Sequence, residues 1–183
     1  MLSIVEHKSS SYGPRTFHNA KSADWTVAFA VDFTTGGEKL THRAAGEKYL
    51  ALPLRGSPLV NARELYKVIY LNNVKILNVA GNGIYTCAQY GTYQASINQH
   101  VYETIRKVHE HLPIGKIVSG GQTGVDLAGG VAGYKLGIDV VMTLPAGFRQ
   151  RNERKVEIYQ TEEDVRRQVI EGAAQLLDFV EKI

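Results

Sequence analysis

The sequence contains almost no cysteine, and this scarcity excludes two kinds of structure. Cys87 is the single cysteine among 183 residues, so the chain forms no internal disulfide and no zinc site built from cysteines. Six histidines are present, but His109 and His111 stand two positions apart in a predicted helix and therefore point away from each other. We expect neither a metal ion nor a cofactor in this protein.

Long apolar runs and a strong net charge are also missing. No segment is long enough to span a bilayer, and the N-terminus lacks the apolar stretch of a signal peptide. The net charge of +3 can help to attract a phosphorylated small molecule, but it is too weak to indicate nucleic acid. The sequence thus predicts a cytoplasmic protein whose partner is a small molecule rather than a membrane or a nucleic acid.

The residues that are present suffice for one compact domain. A length of 183 residues with 44% hydrophobic and 21% charged residues is ordinary for a single globular unit. Residues 1–20 are polar and interrupted by glycine and proline, so we expect them to form a leader outside the core. We find no linker or low-complexity segment, and one domain accounts for residues 1–183.

Short β-rich runs alternate with helical stretches from residue 25 onward. The predicted strands are 25–31, 48–54, 75–80, 116–119 and 138–144. The predicted helices are 38–45, 61–70, 97–112, 126–136 and a last one that begins at Thr161. The first of these strands is almost continuously apolar, as expected when both faces of a sheet are covered. The alternation predicts an α/β, Rossmann-like three-layer sandwich with a mainly parallel sheet of about five strands.

Local patterns predict how several elements begin and where loops lie. Asn61 and Ser96 are expected to cap their helices, and Thr161 followed by Asp164 resembles a capping box. Residues 84–90 are expected to form a loop, and the charged residues 150–159 are expected to form a surface loop or an extended arm. The apolar stripe of the last helix consists of Val165, Val169, Ala173, Leu176 and Val180.

Glycine clusters follow three of the predicted strands, in the segments 34–37, 80–83 and 119–124. The carboxyl ends of parallel strands meet at one edge of the sheet, and ligands bind there at the point where the strand order reverses. Glycine lets a ligand approach main-chain N–H groups, and a helix N-terminus behind the loop favours phosphate. A single such cluster also occurs in ordinary turns, but three at one edge predict a ligand crevice.

The candidate ligand-binding residues lie in or beside these clusters. They are Thr34, Thr35, Gly36, Gly37, Glu38, Thr41, Gly81, Asn82, Gly83, Ser119, Gly120, Gly121, Gln122, Thr123, Gly124, Asp126 and Arg149. Arg149 follows a predicted strand and can offer phosphate a planar fork of donors. Glu38 and Asp126 are the candidate catalytic residues or ribose ligands; otherwise Glu38 only complements a helix dipole and Asp126 only caps a helix.

Standard nucleotide motifs are missing from the chain. There is no G-x-x-x-x-G-K-[ST] loop, which argues against a P-loop NTPase. Gly81 and Gly83 begin like G-x-G-x-x-G, but Thr86 stands at the third glycine position. There is also no G-x-S-x-G elbow.

A resemblance to a known family rests on residues 119–126, SGGQTGVD, and on a strand that ends in Pro145, Gly147 and Arg149. These features resemble the SLOG superfamily, which includes lonely-guy phosphoribohydrolases, DNA-processing A proteins and molybdenum-cofactor carriers. The YpsA-like and carrier-type branch is the most similar. An R-T-x-x-N segment at 15–19 precedes the glycine loop here rather than following it, so the chain looks circularly permuted.

The resemblance implies a Rossmann-like pocket for a nucleotide or a nucleotide-derived molecule. Lonely-guy enzymes use a glutamate after a P-G-G-x-G-T motif, and Thr41 stands at that place here. The resemblance therefore implies a protein that binds, and thereby senses or sequesters, a nucleotide, and that forms a homo-oligomer. The alternatives are an N-glycosidic hydrolase that uses Glu38 or Asp126, and a DNA-binding relative, which the weak basicity disfavours.

Overall fold

The computed structural model of the protein describes residues 1–178. Its strands are β1 (Leu2–Glu6), β2 (Trp25–Ala30), β3 (Tyr49–Pro53), β4 (Ile76–Gly81), β5 (Lys116–Ser119), β6 (Asp139–Leu144), β7 (Gln150–Arg151) and β8 (Glu157–Ile158). Its helices are α1 (Tyr12–Lys21), α2 (Gly36–Ala45), α3 (Pro58–Asn72), α4 (Ile84–Gln89), α5 (Gln94–His109), α6 (Val125–Lys135) and α7 (Glu162–Ala174).

The main sheet has six strands in the order β1-β6-β5-β4-β2-β3, and every neighbouring pair is parallel. The chain leaves β2 towards the outer strand β3 and then returns to the other side of β2 to form β4. From there it continues through β5 and β6. The strand order therefore reverses between β2 and β4, and in open α/β sheets this is where ligands bind.

Helices cover both faces of the sheet, which confirms the predicted Rossmann-like three-layer architecture. Helix α6 packs on the face that carries Val79 and Ile117, and it contacts α5 and α7. Helices α1 and α2 contact each other and lie on the opposite face. No helix within residues 1–178 combines the length and the hydropathy needed to cross a membrane.

The expectation that residues 1–20 lie outside the core is wrong. Leu2 and Ile4 are buried in β1, which pairs with β6 and gives the sheet its sixth strand. Helix α1 follows and buries Arg15 and Asn19. The prediction failed because the buried face of α1 is polar, so a search for apolar periodicity does not detect this helix.

Two predicted helix caps are also wrong. Helix α3 begins three residues earlier than Asn61, after Ser57, whose side chain accepts the Leu59 N–H. Asn61 is instead buried inside α3. The N-cap of α5 is Tyr93, and Ser96 is the third residue of that helix. The Ser96 hydroxyl accepts a hydrogen bond from the Tyr93 N–H.

The segment 84–90, predicted as a loop, is mostly helical, and the segment 150–159, predicted as a loop or an extended arm, contains two short strands. Residues 84–89 form helix α4, and residues 150–158 contain the antiparallel pair β7 and β8. The capping box of Thr161 and Asp164 is confirmed at the start of α7. Four residues of the predicted stripe, Val165, Val169, Ala173 and Leu176, are buried. The fifth, Val180, lies outside the described residues.

Candidate functional site

A cavity of about 480 Å³ lies at the carboxyl ends of β2, β4 and β5, where the strand order reverses. Helices α1 and α2 form its walls, and Asn78 and Ala80 of β4 form part of its floor. The segment that follows β4 and the β7–β8 hairpin border it as well. This volume lies within the range of about 300–1,000 Å³ that is usual for small-molecule sites.

The side chains of the sheet explain why space remains there. Thr26 lies opposite Asn78 and Ala28 lies opposite Ala80 in the register of β2 and β4. Alternation along the strands sends these four side chains to the face beneath α1 and α2. They are small or polar, whereas large apolar residues such as Phe29 occupy the other face. Helices α1 and α2 therefore have no layer of large apolar side chains to pack against at this place, and a cavity remains between them and the sheet.

Helix α1 presents a polar face to the cavity, and the sequence analysis did not detect this helix. Tyr12, Arg15, Thr16 and Asn19 all line the cavity. Their spacing of three, four and seven residues places them on one side of a helix. The one available signal was the R-T-x-x-N segment, whose arginine and asparagine are four residues apart.

A buried ion pair joins α1 to the N-terminal turn of α6. Arg15 Nη1 lies 2.8 Å from Asp126 Oδ2, and both side chains are only 8% exposed. Burial raises the pKa of Asp126, while the Arg15 guanidinium and the backbone amides of Gly81 and Gln122 oppose that rise. The carboxylate is thus largely engaged by the protein itself. It does not cap α6, whose N-cap is Gly124.

Glu38 is the second buried carboxyl group of the cavity. It lies in the first turn of α2 and is 2% exposed. Burial raises its pKa from 4.5 to about 8, and the nearby charge of Asp126 adds to this shift. Tyr49 and Asn82 are its hydrogen-bond donors, each at 3.4 Å. Glu38 is therefore a neutral acid at pH 7 that can donate a proton to a ligand.

Several polar atoms beside the cavity have no hydrogen-bond partner within residues 1–178. They are both amide atoms of Asn19, Oδ1 of Asn78 and Nε of Arg15. Asn19 and Asn78 are 2% and 3% exposed. Leaving a buried polar group unpaired costs about 1–3 kcal/mol, and either water or a ligand in the cavity can supply the missing partner.

Basic side chains border the cavity at the β7–β8 hairpin. The Arg151 guanidinium lies 4.7 Å from the centre of the Tyr12 ring, and the Lys155 ammonium lies 5.2 Å from that of Tyr85. The Arg151 N–H donates to Gln122 Oε1 at 2.6 Å, which ties the hairpin to the loop after β5. Glu157 accepts from Arg151 Nε at 2.5 Å and compensates part of this positive charge.

The structure brings together most of the residues that the sequence singled out. Those that line the cavity are Thr35, Gly37, Glu38, Thr41, Gly81, Asn82, Gly83, Gly120, Gln122 and Asp126. Those that do not are Thr34, Gly36, Ser119, Gly121, Thr123, Gly124 and Arg149. The cavity is also lined by five residues that were not predicted from the sequence, namely Tyr12, Thr16, Asn19, Asp32 and Asn78.

Arg149 is placed away from the cavity by three interactions. Its guanidinium lies 5.1 Å from the centre of the Tyr12 ring, donates to the Ser10 carbonyl and lies 3.4 Å from Glu157. Arg151, two residues further along the chain, lines the cavity instead. The sequence placed an arginine near the right strand end, but the turn before β7 decides which one reaches the cavity.

The loop 119–124 uses three of its backbone amides in the protein's own packing, so these three are not available for the expected phosphate contacts. The N–H groups of Gly121, Thr123 and Gly124 donate to side-chain oxygens of Ser119, Gln122 and Gln94. Because the glycines of this loop have no side chains, neighbouring protein atoms can pack against their backbone.

Three glycines show this directly through the position that a Cβ atom would take. At Gly120 it would lie 1.6 Å from Arg15 Nη1, and at Gly121 it would lie 2.5 Å from a Leu144 methyl. At Gly124 it would lie 2.5 Å from the Asn82 carbonyl oxygen. The tight packing around these glycines is therefore with the protein and not with a ligand.

The start of α2 keeps its amides available. The Thr35 hydroxyl caps this helix by accepting the Glu38 N–H at 3.2 Å. Gly36 and Gly37 occupy the first two helical positions, whose N–H groups have no partner inside a helix. Gly37 lines the cavity, and its N–H can bind an anion there.

Asn82 holds two strand ends together. Its Oδ1 accepts the N–H groups of Val31 and Asp32, each at 2.9 Å, and its Nδ2 donates to the Asp32 carbonyl at 3.0 Å. It therefore links the segment after β2 to the segment after β4. Its main role in the site is to position these loops.

The structure offers few groups for other chemistry. No cluster of three or more histidine, cysteine, aspartate or glutamate side chains within residues 1–178 could hold a metal ion. Cys87 is buried, which raises the pKa of its thiol to about 12. A thiol of this kind is unreactive at neutral pH.

Comparisons with protein-family models, with curated proteins and with solved structures found no significant match to this chain.

Proposed function

We propose that the protein binds a nucleotide or a nucleotide-derived phosphorylated molecule in this cavity and so senses or sequesters it. The observation that carries the proposal is the set of unpaired polar atoms at Asn19, Asn78 and Arg15, beside a cavity of about 480 Å³ at the point of strand reversal. Packing alone does not explain polar atoms left unpaired beside an open volume.

The charges around the cavity support a phosphorylated ligand. Arg151 and Lys155 supply positive charge at its rim, and the Gly37 N–H supplies a donor at the start of α2. A phosphate group accepts hydrogen bonds from all three kinds of donor. Glu38 is the carboxyl group best placed to meet a sugar hydroxyl, because Asp126 is already engaged by Arg15.

Isothermal titration calorimetry tests this proposal. We expect saturable binding of at least one of NAD, ADP-ribose, AMP and a cyclic nucleotide. The Arg151→Met variant should bind a phosphorylated ligand about 10- to 100-fold more weakly, because a charge-assisted hydrogen bond contributes about 1.5–3 kcal/mol. Arg63→Met is the matched control, since Arg63 is exposed on α3. A folded wild-type sample that gives no heat with any of these compounds would refute the proposal.

A second candidate function is hydrolysis of an N-glycosidic bond, and the state of Glu38 favours it. Glycoside hydrolysis uses one carboxyl group that holds a proton and another that is ionised. Glu38 holds its proton to about pH 8, whereas the Arg15 guanidinium opposes the rise that burial causes in the pKa of Asp126. This function predicts that the protein releases free base from nucleoside monophosphates. Glu38→Gln should abolish that release, whereas Glu47→Gln, at an exposed position, should not.

We also propose that the chain is a circularly permuted member of the SLOG superfamily. The support is spatial: segments 15–19, 36–41 and 119–126 are far apart in the sequence, yet each contributes to one cavity. Moving residues 1–56 behind residue 183 through a flexible linker would restore the family's order. That variant should fold and keep the ligand affinity of the original chain, and failure to fold would contradict the proposal.

Two further proposals concern the setting of the protein. We propose that it forms a homo-oligomer, because α3 exposes the apolar side chains of Val60, Tyr70 and Leu71. Sedimentation velocity at several concentrations tests this, and a monomer at every concentration would contradict it. We propose a cytoplasmic location, which cell fractionation tests.

A further inference from the structure

The chemistry of the cavity changes along helix α1. The chain enters α1 after β1 and leaves it before β2, so the helix runs back from the carboxyl edge of the sheet. Tyr12 lies at its first position and Asn19 seven residues later, which is about 10 Å along the axis. The basic residues Arg151 and Lys155 border the cavity near Tyr12 and Tyr85. The cavity therefore has a charged outer end and an inner end at Asn19.

The inner end is polar, and Arg15, the charged residue of α1 that lines the cavity, is already paired with Asp126. Asn19 and Asn78 line the inner end, and Ala80 contributes to the floor. Neither amide atom of Asn19 has a partner within residues 1–178. Asn78 uses its Nδ2 to donate to Thr26 Oγ1 at 3.1 Å, and its Oδ1 is without a partner in the same range. Asn19 thus offers an amide whose donor and acceptor both lack a partner among the described residues, and Asn78 offers a further acceptor of this kind in the lining of the same cavity.

A side-chain amide whose nitrogen and oxygen both lack hydrogen-bond partners pairs best with a planar group that has a donor and an acceptor side by side. Asparagine recognises adenine in this way, through the exocyclic amine and the adjacent ring nitrogen. A carboxamide has the same pattern. A charged group would lose its hydration there without gaining an opposite charge, which makes it a poor occupant.

We propose that the inner end of the cavity is a recognition site for a planar, uncharged group with adjacent hydrogen-bond donor and acceptor, such as adenine or a carboxamide. The phosphate of the ligand then lies at the outer end, near Arg151 and Lys155. This inference rests on the proposed function and adds to it the orientation of the ligand and the identity of its head group.

Matched ligand pairs test the inference on the wild-type protein. Adenosine should bind at least tenfold more tightly than N6,N6-dimethyladenosine, which lacks the donor. Alternatively, reduced nicotinamide riboside, whose ring is uncharged, should bind at least tenfold more tightly than reduced nicotinic acid riboside, in which a carboxylate replaces the amide. Discrimination within the first pair assigns adenine, and discrimination within the second assigns a carboxamide. Equal binding within both pairs would overturn the inference.

A protein variant gives an independent readout. Asn19→Leu should weaken binding of the preferred nucleoside about 10- to 100-fold and remove the preference within the pair. The ligand-free variant should melt at the same or a higher temperature, because the substitution removes an unpaired polar group. Asn72→Leu, at an exposed position of α3, should change neither affinity nor preference.

The outcomes separate this inference from the function on which it rests. Suppose that nucleotides bind to the wild type and that Arg151→Met weakens this binding. If Asn19→Leu then binds with unchanged affinity and preference, the inner-end site is refuted and the binding function stands. If no nucleoside or nucleotide binds to the folded wild type, both are refuted.

Discussion

Replacing Glu38 by glutamine should remove a large part of the pH dependence of stability. Glu38 holds its proton to about pH 8 in the folded protein, compared with 4.5 for an ordinary glutamate. Its contribution to stability is complete below pH 4.5 and is lost as the pH rises towards 8, because the unfolded chain releases this proton first. At about 1.4 kcal/mol per pH unit, the whole interval corresponds to roughly 4–5 kcal/mol.

Urea unfolding followed by circular dichroism between pH 4.5 and 9 measures this difference. Wild type and Glu38→Gln should have similar unfolding free energies at pH 4.5, since glutamine resembles the neutral carboxyl group in shape. The wild type should then lose stability relative to the variant up to pH 8 and follow it in parallel above that. The other titrating groups are common to both proteins, so the difference between the two curves reports Glu38 together with its coupling to Asp126.

Two results would refute this reasoning. Parallel curves over the whole range would mean that Glu38 titrates normally and that its burial has little effect on its proton. A similar divergence for Glu47→Gln, at an exposed position, would mean that net charge and not burial controls the pH dependence.

Three further tests apply urea unfolding to variants in other parts of the site. Arg15→Met should cost about 3–5 kcal/mol by leaving a buried Asp126 unpaired, and Asp126→Asn in the same chain should recover part of this loss; no recovery would refute the pairing. Asn19→Leu should leave the ligand-free protein as stable or more stable by about 1 kcal/mol, and a loss of several kcal/mol would show that its amide already has partners. Gly120→Ala should lower the free energy of unfolding by about 3 kcal/mol or more, because its Cβ would lie 1.6 Å from Arg15 Nη1 and displace the buried ion pair. At Gly37 an added Cβ meets no atom within 4 Å, so Gly37→Ala should leave the free energy of unfolding unchanged. Equal effects of the two substitutions would contradict the packing argument.

The alternation of strands and helices could be read from the sequence because β2 to β6 are short, apolar and separated by helical stretches. β5 was predicted with its observed bounds, 116–119, and the other four strands to within one residue at each end. β1 was missed because Leu2 and Ile4 are its only buried apolar residues, which is too short a pattern to stand out in a polar segment.

The candidate site was predicted in outline for a reason that was partly mistaken. Glycine clusters at one edge of the sheet indicated the right place, and Glu38 and Asp126 are both buried there. The sequence does not show whether a glycine makes room for a ligand or for the protein, and at Gly120 it makes room for the Arg15 side chain. It also does not show which face of a polar helix is turned inwards, so Asn19 was not among the candidates.

The link that Asn82 makes between the ends of β2 and β4 has a consequence for how fast a ligand can associate. Three hydrogen bonds to the backbone of Val31 and Asp32 fix the gap between these strand ends in the empty protein. An opening that is already set loses little conformational entropy when it is filled. We therefore expect a single association phase in stopped-flow experiments, with a rate proportional to ligand concentration and no slow rearrangement on this side of the pocket.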